Sequence, residues 1–223
     1  MPTRRYFDQE LDQLRARVLE LGQLVKTELH EALRALEELD KELAKEVIAS
    51  DQAVNELRFT IEDDCFKLIA TQQPAASDLR TIIAVINIIV DLEQIGDKAK
   101  DIAEAISQVK RYQKVEQPSA LKAMGELVAS MLDQCLQAYA EGDIELAKQA
   151  ASREAEVDQM LETVVSNVIE HMAKAKKEKK VTASMGILGV AQQLERIGDL
   201  VTNVVERVIY IATGSVEELN VEP

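Results

Sequence analysis

The chain has no tryptophan, only 3% aromatic residues, four prolines and eight glycines among 223 positions. So few chain breakers and so little aromatic bulk argue against a turn-rich sandwich or barrel, and favour long helices packed through aliphatic side chains. Cys65 and Cys135 are too few and too widely spaced for a disulfide framework or a zinc site. Each falls on an apolar-periodic helix position and reads as a small core residue. Long apolar runs are missing too. The longest, Ile82 to Val90, is interrupted by Asn87 and is too short to span a bilayer. The opening stretch, Met1 to Glu10, is polar and charged, unlike a secretory leader, so a soluble protein of a reducing, cytoplasmic compartment is expected. Basic residues are in deficit: 26 Lys and Arg against 40 Asp and Glu leave a formal charge of −14. That balance excludes a nucleic-acid partner, which demands a basic face, and suits cations or basic partners. With neither a Gly-rich phosphate loop nor a Gly-x-Ser-x-Gly elbow, nucleotide enzymes and nucleophilic hydrolases have no foothold.

What the chain does have is a duplication. Glu42-Leu43-Ala44-Lys45 recurs 103 positions later as Glu145-Leu146-Ala147-Lys148. The same offset pairs Leu21 with Met124, Leu33 with Leu136, Val54 with Val157 and Ile61 with Val164. Past the next loop the offset becomes 102, one deletion. Two copies of one unit therefore run over 5–114 and 117–213, followed by a tail over 214–223. Within each copy the helical period breaks twice. Leu39-Asp40 forms a turn with Asp40 as N-cap, and Gly142-Asp143 divide the stop and start roles in the second copy. Gln73 to Asp78 makes the next break, because Pro74 cannot continue a helix and Ser77 or Asp78 can cap the following one. Its counterpart is the lysine run Lys174 to Lys180, read as a helix end whose cations complement the dipole, with contact to an acidic partner or anionic lipid as the alternative. Three helices per copy give an all-α protein of two tandem, pseudo-two-fold-related three-helix bundles, six long helices in all.

The second repeated feature carries chemistry. Leu92-Glu93-Gln94-Ile95-Gly96-Asp97 returns as Leu194-Glu195-Arg196-Ile197-Gly198-Asp199. Each motif places two carboxylates four residues apart on one helix face, where like charges repel by a few tenths of a kcal/mol. Each also places a glycine in a helix interior, at a cost of roughly 1 kcal/mol against alanine. A bound cation is the reason this pattern suggests. The stripe continues through Asp101 and Glu104 in the first copy, and through Asn203 and Glu206 in the second. No Lys or Arg stands four residues along to neutralise it. Clustered carboxylate oxygens suit hard cations such as magnesium, manganese or iron. The plainer alternative is a solvated acidic helix end.

The segment Gln73-Pro74-Ala75-Ala76-Ser77-Asp78-Leu79-Arg80, both acidic motifs, the duplication and the ending Val208-Ile209-Tyr210 to Gly214 together resemble the PhoU family of bacterial regulators of phosphate uptake. The resemblance covers nearly the whole chain. It implies a fold of two similar three-helix bundles. It also implies metal clusters, iron foremost with manganese or magnesium as substitutes, held by Glu93 with Asp97 and by Glu195 with Asp199. Asp101 and its uncharged counterpart Asn203 extend these pairs. Gln94 and Leu200 depart from the Arg and His common in the family. By the same resemblance the protein is no enzyme but an adaptor between a phosphate ABC transporter, through its ATPase subunit, and a sensor histidine kinase. A homodimer held at the inner face of the membrane through those partners is expected. Arg80, at the start of the third helix, is expected to be exposed, as a partner contact or in a local ion pair.

Two other functions compete. A ferritin-like di-iron oxidase needs paired Glu-x-x-His elements, and His30 and His171 lie outside any such pattern. A metal-free helical scaffold that docks basic partners through its acidic faces remains open beside the metal-binding adaptor.

Overall fold

A computed structural model describes residues 2–107, 119–175, 178–216 and 218–219. Seven helical segments follow in order: α1 (Pro2–Glu38), α2 (Lys41–Gln72), α3 (Ala76–Ser107), α4 (Ser119–Glu141), α5 (Ile144–Ala151), α6 (Glu154–Lys174) and α7 (Glu178–Thr213). No strand occurs among the described residues. The expected repeat boundaries near 114 and 117, Lys176 and Lys177 of the lysine run, and the end of the tail lie outside the described residues.

Both predicted turns form as the sequence indicates. Leu39 takes a left-handed φ of 53°, and Asp40 caps α2 by accepting hydrogen bonds from the Glu42 and Leu43 amides at 2.9 and 3.1 Å. One repeat later, Gly142 takes the left-handed φ of 69° and Asp143 accepts from the Leu146 amide at 3.0 Å. The third helix begins earlier than expected. Gln73 closes α2 in the left-handed region and α3 starts at Ala76, so Asp78 is not a cap but a buried acid in the first turn, where the helix dipole favours negative charge.

The counterpart of α2 is broken into α5 and α6. Ser152 turns its hydroxyl onto the Gln149 carbonyl at 2.9 Å, and the Arg153 and Glu156 amides bond three residues back instead of four. Side-chain competition and this tightened turn interrupt the ladder. Arg153 then ties the break to α4 through Ser130 at 3.2 Å.

The copies α1–α3 and α4–α7 share one aliphatic core, with α3 packed along α7 and α1 crossing α4. The crossing is reciprocal. A Cβ on Gly22 would collide with Leu136, and one on Gly125 would come within 2.7 Å of Leu33. These are the pairs that the 103-residue offset exchanges, as a pseudo-two-fold axis between α1 and α4 requires. Cys65 and Cys135 are fully buried, as core residues.

Candidate functional site

The glycine of the first acidic motif has a packing cause, and that of the second lies at the equivalent helix contact with more room. A Cβ on Gly96 would stand 3.4 Å from Val54 of α2 and 3.1 Å from Glu28 Oε2 of α1; one on Gly198 would stand 3.6 Å from Val157 of α6. Val54 and Val157 are repeat equivalents, so the glycines mark where α2 meets α3 and α6 meets α7 closely. The sequence pattern alone suggested a cation for these glycines. Helix apposition accounts for Gly96, whereas a Cβ on Gly198 would make only ordinary van der Waals contact; in both repeats the apposition brings polar side chains of the facing helix against the motif.

In the first repeat the half-buried Glu93 and Asp97 face Asp51 of α2, with Asn55 one turn further along that helix. Asn55 Nδ2 donates to Asp51 Oδ2 at 3.0 Å, and Lys100 Nζ of α3 lies 2.9 Å from the same oxygen. Behind them the buried Glu28 accepts a hydrogen bond from the Ser50 hydroxyl at 2.7 Å through Oε1, while its Oε2 has no hydrogen-bond partner. Burial pushes the Glu28 carboxyl up to about 7; Asp51 and Asp97 add to the rise, and the Ser50 hydrogen bond and Lys100 oppose it. Burial also raises Glu93 and Asp97, with the Asp97 charge next for Glu93 and the Asp51 charge next for Asp97.

In the second repeat, Glu195 and Asp199 face Glu154 and Asp158 of α6. Asp199 lies within hydrogen-bond reach of Glu154. Both motif acids are raised, first by burial and then by neighbouring carboxylates, Asp199 for Glu195 and Asp158 for both; Glu154 and Arg196 pull Asp199 the other way.

The rest of the stripe separates from these sets. Asp101 lies 3.4 Å from Lys98, and Glu104 is exposed, its charge acting on Lys100. Asn203 is half-buried on α7. Glu206 accepts the Leu219 amide at 2.8 Å and so holds the tail. The row is therefore not free of cations, as the four-residue spacing implied: Lys98 neutralises it from the next position but two, and Lys100 bridges to α2. Arg80 also differs from expectation. It is half-buried, its Nη1 donates to the Gly214 carbonyl at 3.2 Å, and its guanidinium lies 5.8 Å from the Tyr210 ring centroid. It clamps the end of α7 onto the start of α3.

Glu28, Asp51, Asn55, Lys100, Glu154 and Asp158 were not singled out from the sequence. The available signal was the offset itself, which pairs Asp51 with Glu154 and Asn55 with Asp158, two polar residues one turn apart in both copies. Among the described residues, no three His, Cys, Asp or Glu side chains are drawn together tightly enough to hold a metal ion as they stand. The carboxylates of each set nonetheless suit a hard cation: they come from apposed helices, and in the first repeat a buried carboxylate oxygen lacks a partner, although Lys100 and Arg58 in the first set and Arg196 in the second already supply positive charge. No helix among the described residues is long and apolar enough to cross a membrane.

The sequence profile of the PhoU domain matches the chain twice, over residues 18–106 and 121–208. A phosphate-specific transport system accessory protein PhoU homolog of Clostridium acetobutylicum is 34% identical over 219 residues, covering 98% of this chain and 99% of the relative. Its namesake in Streptococcus pneumoniae is 36% identical over 217 residues, covering 97% of this chain and 100% of the relative. The crystal structure of the phosphate transport system regulatory protein PhoU from Streptococcus pneumoniae superposes with a TM-score of 0.87 at 34% identity, over 95% of this chain and 99% of that one. PhoU from Pseudomonas aeruginosa superposes with a TM-score of 0.87 at 32% identity, over 94% of this chain and all of that one. Duplication, helical architecture and full-length similarity agree: the chain belongs to the PhoU family.

Proposed function

We propose that this protein is a non-enzymatic regulator of phosphate transport and phosphate-starvation signalling, an adaptor between a phosphate ABC transporter and a sensor histidine kinase whose acidic sets bind metal ions. The observation that carries the regulatory role is the full-length match of both repeats to accessory proteins of phosphate-specific transport systems. The surface supports an adaptor. Phe66 of α2 and its repeat equivalent Ile169 of α6 are both exposed, as are Ile83 of α3 and its equivalent Met185 of α7. Large apolar side chains left in water at matching places in two diverged copies favour contact surfaces over accident. The direct test is co-purification from phosphate-replete membranes: the transporter ATPase and the kinase should both be retained, and loss of both would refute the adaptor.

Glu93 with Asp97 and Glu195 with Asp199 would be the principal metal ligands, joined by Asp51 and Asn55 in the first set and by Glu154 and Asp158 in the second. Iron, manganese or magnesium would serve, since each accepts carboxylate oxygen. The metal-free scaffold remains a second reading, supported by Lys100, which offsets the first set without any metal. Unfolding midpoints separate the two. A cation at a hundred times its dissociation constant stabilises the fold by about 2.7 kcal/mol. Asp97→Asn with Asp199→Asn should abolish that gain. No metal-dependent shift in the wild type would leave the scaffold reading.

A further inference from the structure

The repeats align Lys100 with Thr202 and Glu28 with Met131. Thr202 is fully buried and its hydroxyl donates back to the Gly198 carbonyl at 3.3 Å, so it presents no charge to the second acidic set. Lys100 behaves differently. Its Nζ crosses to α2 and pairs at 2.9 Å with Asp51, a residue only 5% exposed, on the oxygen that also accepts from Asn55. On the inner side of the same set, Glu28 is 3% exposed, and its unpartnered Oε2 points at the closest approach of Gly96. A buried carboxylate oxygen without a hydrogen bond, beside Asp51 and Asp97, is costly unless positive charge compensates it. Lys100 is the cation common to Glu28, Asp51 and Asp97, with Lys98 also acting on Asp97.

We propose that Lys100 is a tethered counter-cation of the first acidic set. With its ammonium moved aside or removed, Glu28 joins Asp51, Asn55, Glu93 and Asp97 in a divalent-cation site. The second repeat cannot copy it, because Met131 and Thr202 replace Glu28 and Lys100. The inference rests on the acidic sets being cation sites. An ammonium on a flexible four-carbon stem offers one charge and can swing out to water. A hard divalent ion offers two charges and coordinates several oxygens at once, so it should prevail only when its concentration overcomes the tethered competitor. The two sets of one chain therefore differ in cation response: the first fills against an ammonium paired inside it, the second against the charge of Arg196 alone, which among the described residues forms no ion pair with a carboxylate of α6.

The test counts bound manganese on the full chain by loss of the free-ion paramagnetic resonance signal. Lys100→Met should gain one manganese per chain over wild type, or tighten the weaker site at least about tenfold. Adding Glu28→Gln should reverse that gain. Lys100→Gln keeps a hydrogen-bond donor for Asp51 without the charge, and serves if Lys100→Met does not fold. In a Glu195→Gln, Asp199→Asn background, removal of Lys100 should strengthen at least about tenfold the weak manganese binding that remains. Wild type and both Lys100 variants binding manganese identically would overturn the inference and leave the cation reading intact. Binding only after Lys100 is replaced would uphold the inference and remove the second set from the cation reading. No binding by any of them would overturn both.

Discussion

Replacing Glu28 by Gln tests the electrostatics of the first acidic set in isolation from any metal. Glu28 is 3% exposed, with one oxygen held by Ser50 and the other unpartnered. Its environment draws on two other helices: Ser50 and Asp51 from α2, Asp97 and Lys100 from α3. Burial moves its carboxyl from an ordinary 4.5 to about 7. The folded state therefore holds this proton more tightly than the unfolded chain does. Between those two values the native protein binds more protons, so stability falls as pH rises through that window and levels off above it. The full effect is roughly 3 kcal/mol. Gln is nearly isosteric, its carbonyl can still accept from Ser50, and its amide gives the acidic neighbours a donor in place of a charge. Urea unfolding with a chelator present, from pH 4.5 to pH 8.5, should show wild type and Glu28→Gln nearly equal at the acid end. The variant should be more stable by up to roughly 3 kcal/mol at the alkaline end. Asp91, which burial lifts to about 6, slopes the same way but is common to both proteins, so the difference curve isolates Glu28. Parallel curves would refute the assignment of Glu28 as a buried carboxyl that ionises only at a cost.

The two motif glycines should respond with opposite sign to alanine. Gly198→Ala meets only Val157, at 3.6 Å or beyond, and should gain roughly 0.5–1 kcal/mol of helix propensity in thermal unfolding; Gly96→Ala crowds Glu28 and Val54 and should gain nothing or lose stability. Asp40→Ala should cost more than Asp143→Ala, within about 0.5–2 kcal/mol each, because Asp40 accepts two backbone amides and Asp143 one; denaturant midpoints measure both. Arg80→Ala should cost about 1 kcal/mol by loss of the Gly214 and Tyr210 contacts, while leaving co-purification of partners unchanged; loss of a partner at unaltered stability would make Arg80 a contact residue instead.

Local chemistry explains which parts of the fold were legible in the sequence. The turns at Leu39-Asp40 and Gly142-Asp143 are set by a left-handed residue followed by an acid that caps, and both signals lie in adjacent positions. The break between α5 and α6 was not legible, because Ser152 and Arg153 are ordinary helix-surface residues. They interrupt the helix through a carbonyl three residues back and a hydroxyl on another helix. The acidic motifs were legible as helix faces. Their cross-helix partners were not, because Asp51, Asn55 and Lys100 meet Glu93 and Asp97 only once the α2–α3 register is set. That register is fixed by Val54 against Gly96, a contact the offset hinted at but could not locate in space.

The repeat also shows where the two copies have been free to diverge. Packing contacts are retained as pairs: across the pseudo-two-fold axis Gly22 with Leu136 answers Gly125 with Leu33, and within the repeats Val54 near Gly96 answers Val157 near Gly198. Change at the two axial glycines alters a helix separation, and close-packed interiors tolerate that poorly. Polar positions around the acidic sets have changed instead: Asn55 is Asp158, Lys100 is Thr202, Glu28 is Met131 and Asp101 is Asn203. Each exchange alters local charge without moving a helix. The first set has acquired a buried acid and a bridging lysine, whereas the second has acquired an extra carboxylate on α6 and no lysine. Common geometry with unlike charge is the arrangement expected when packing constrains the scaffold and binding, rather than folding, distinguishes its two halves.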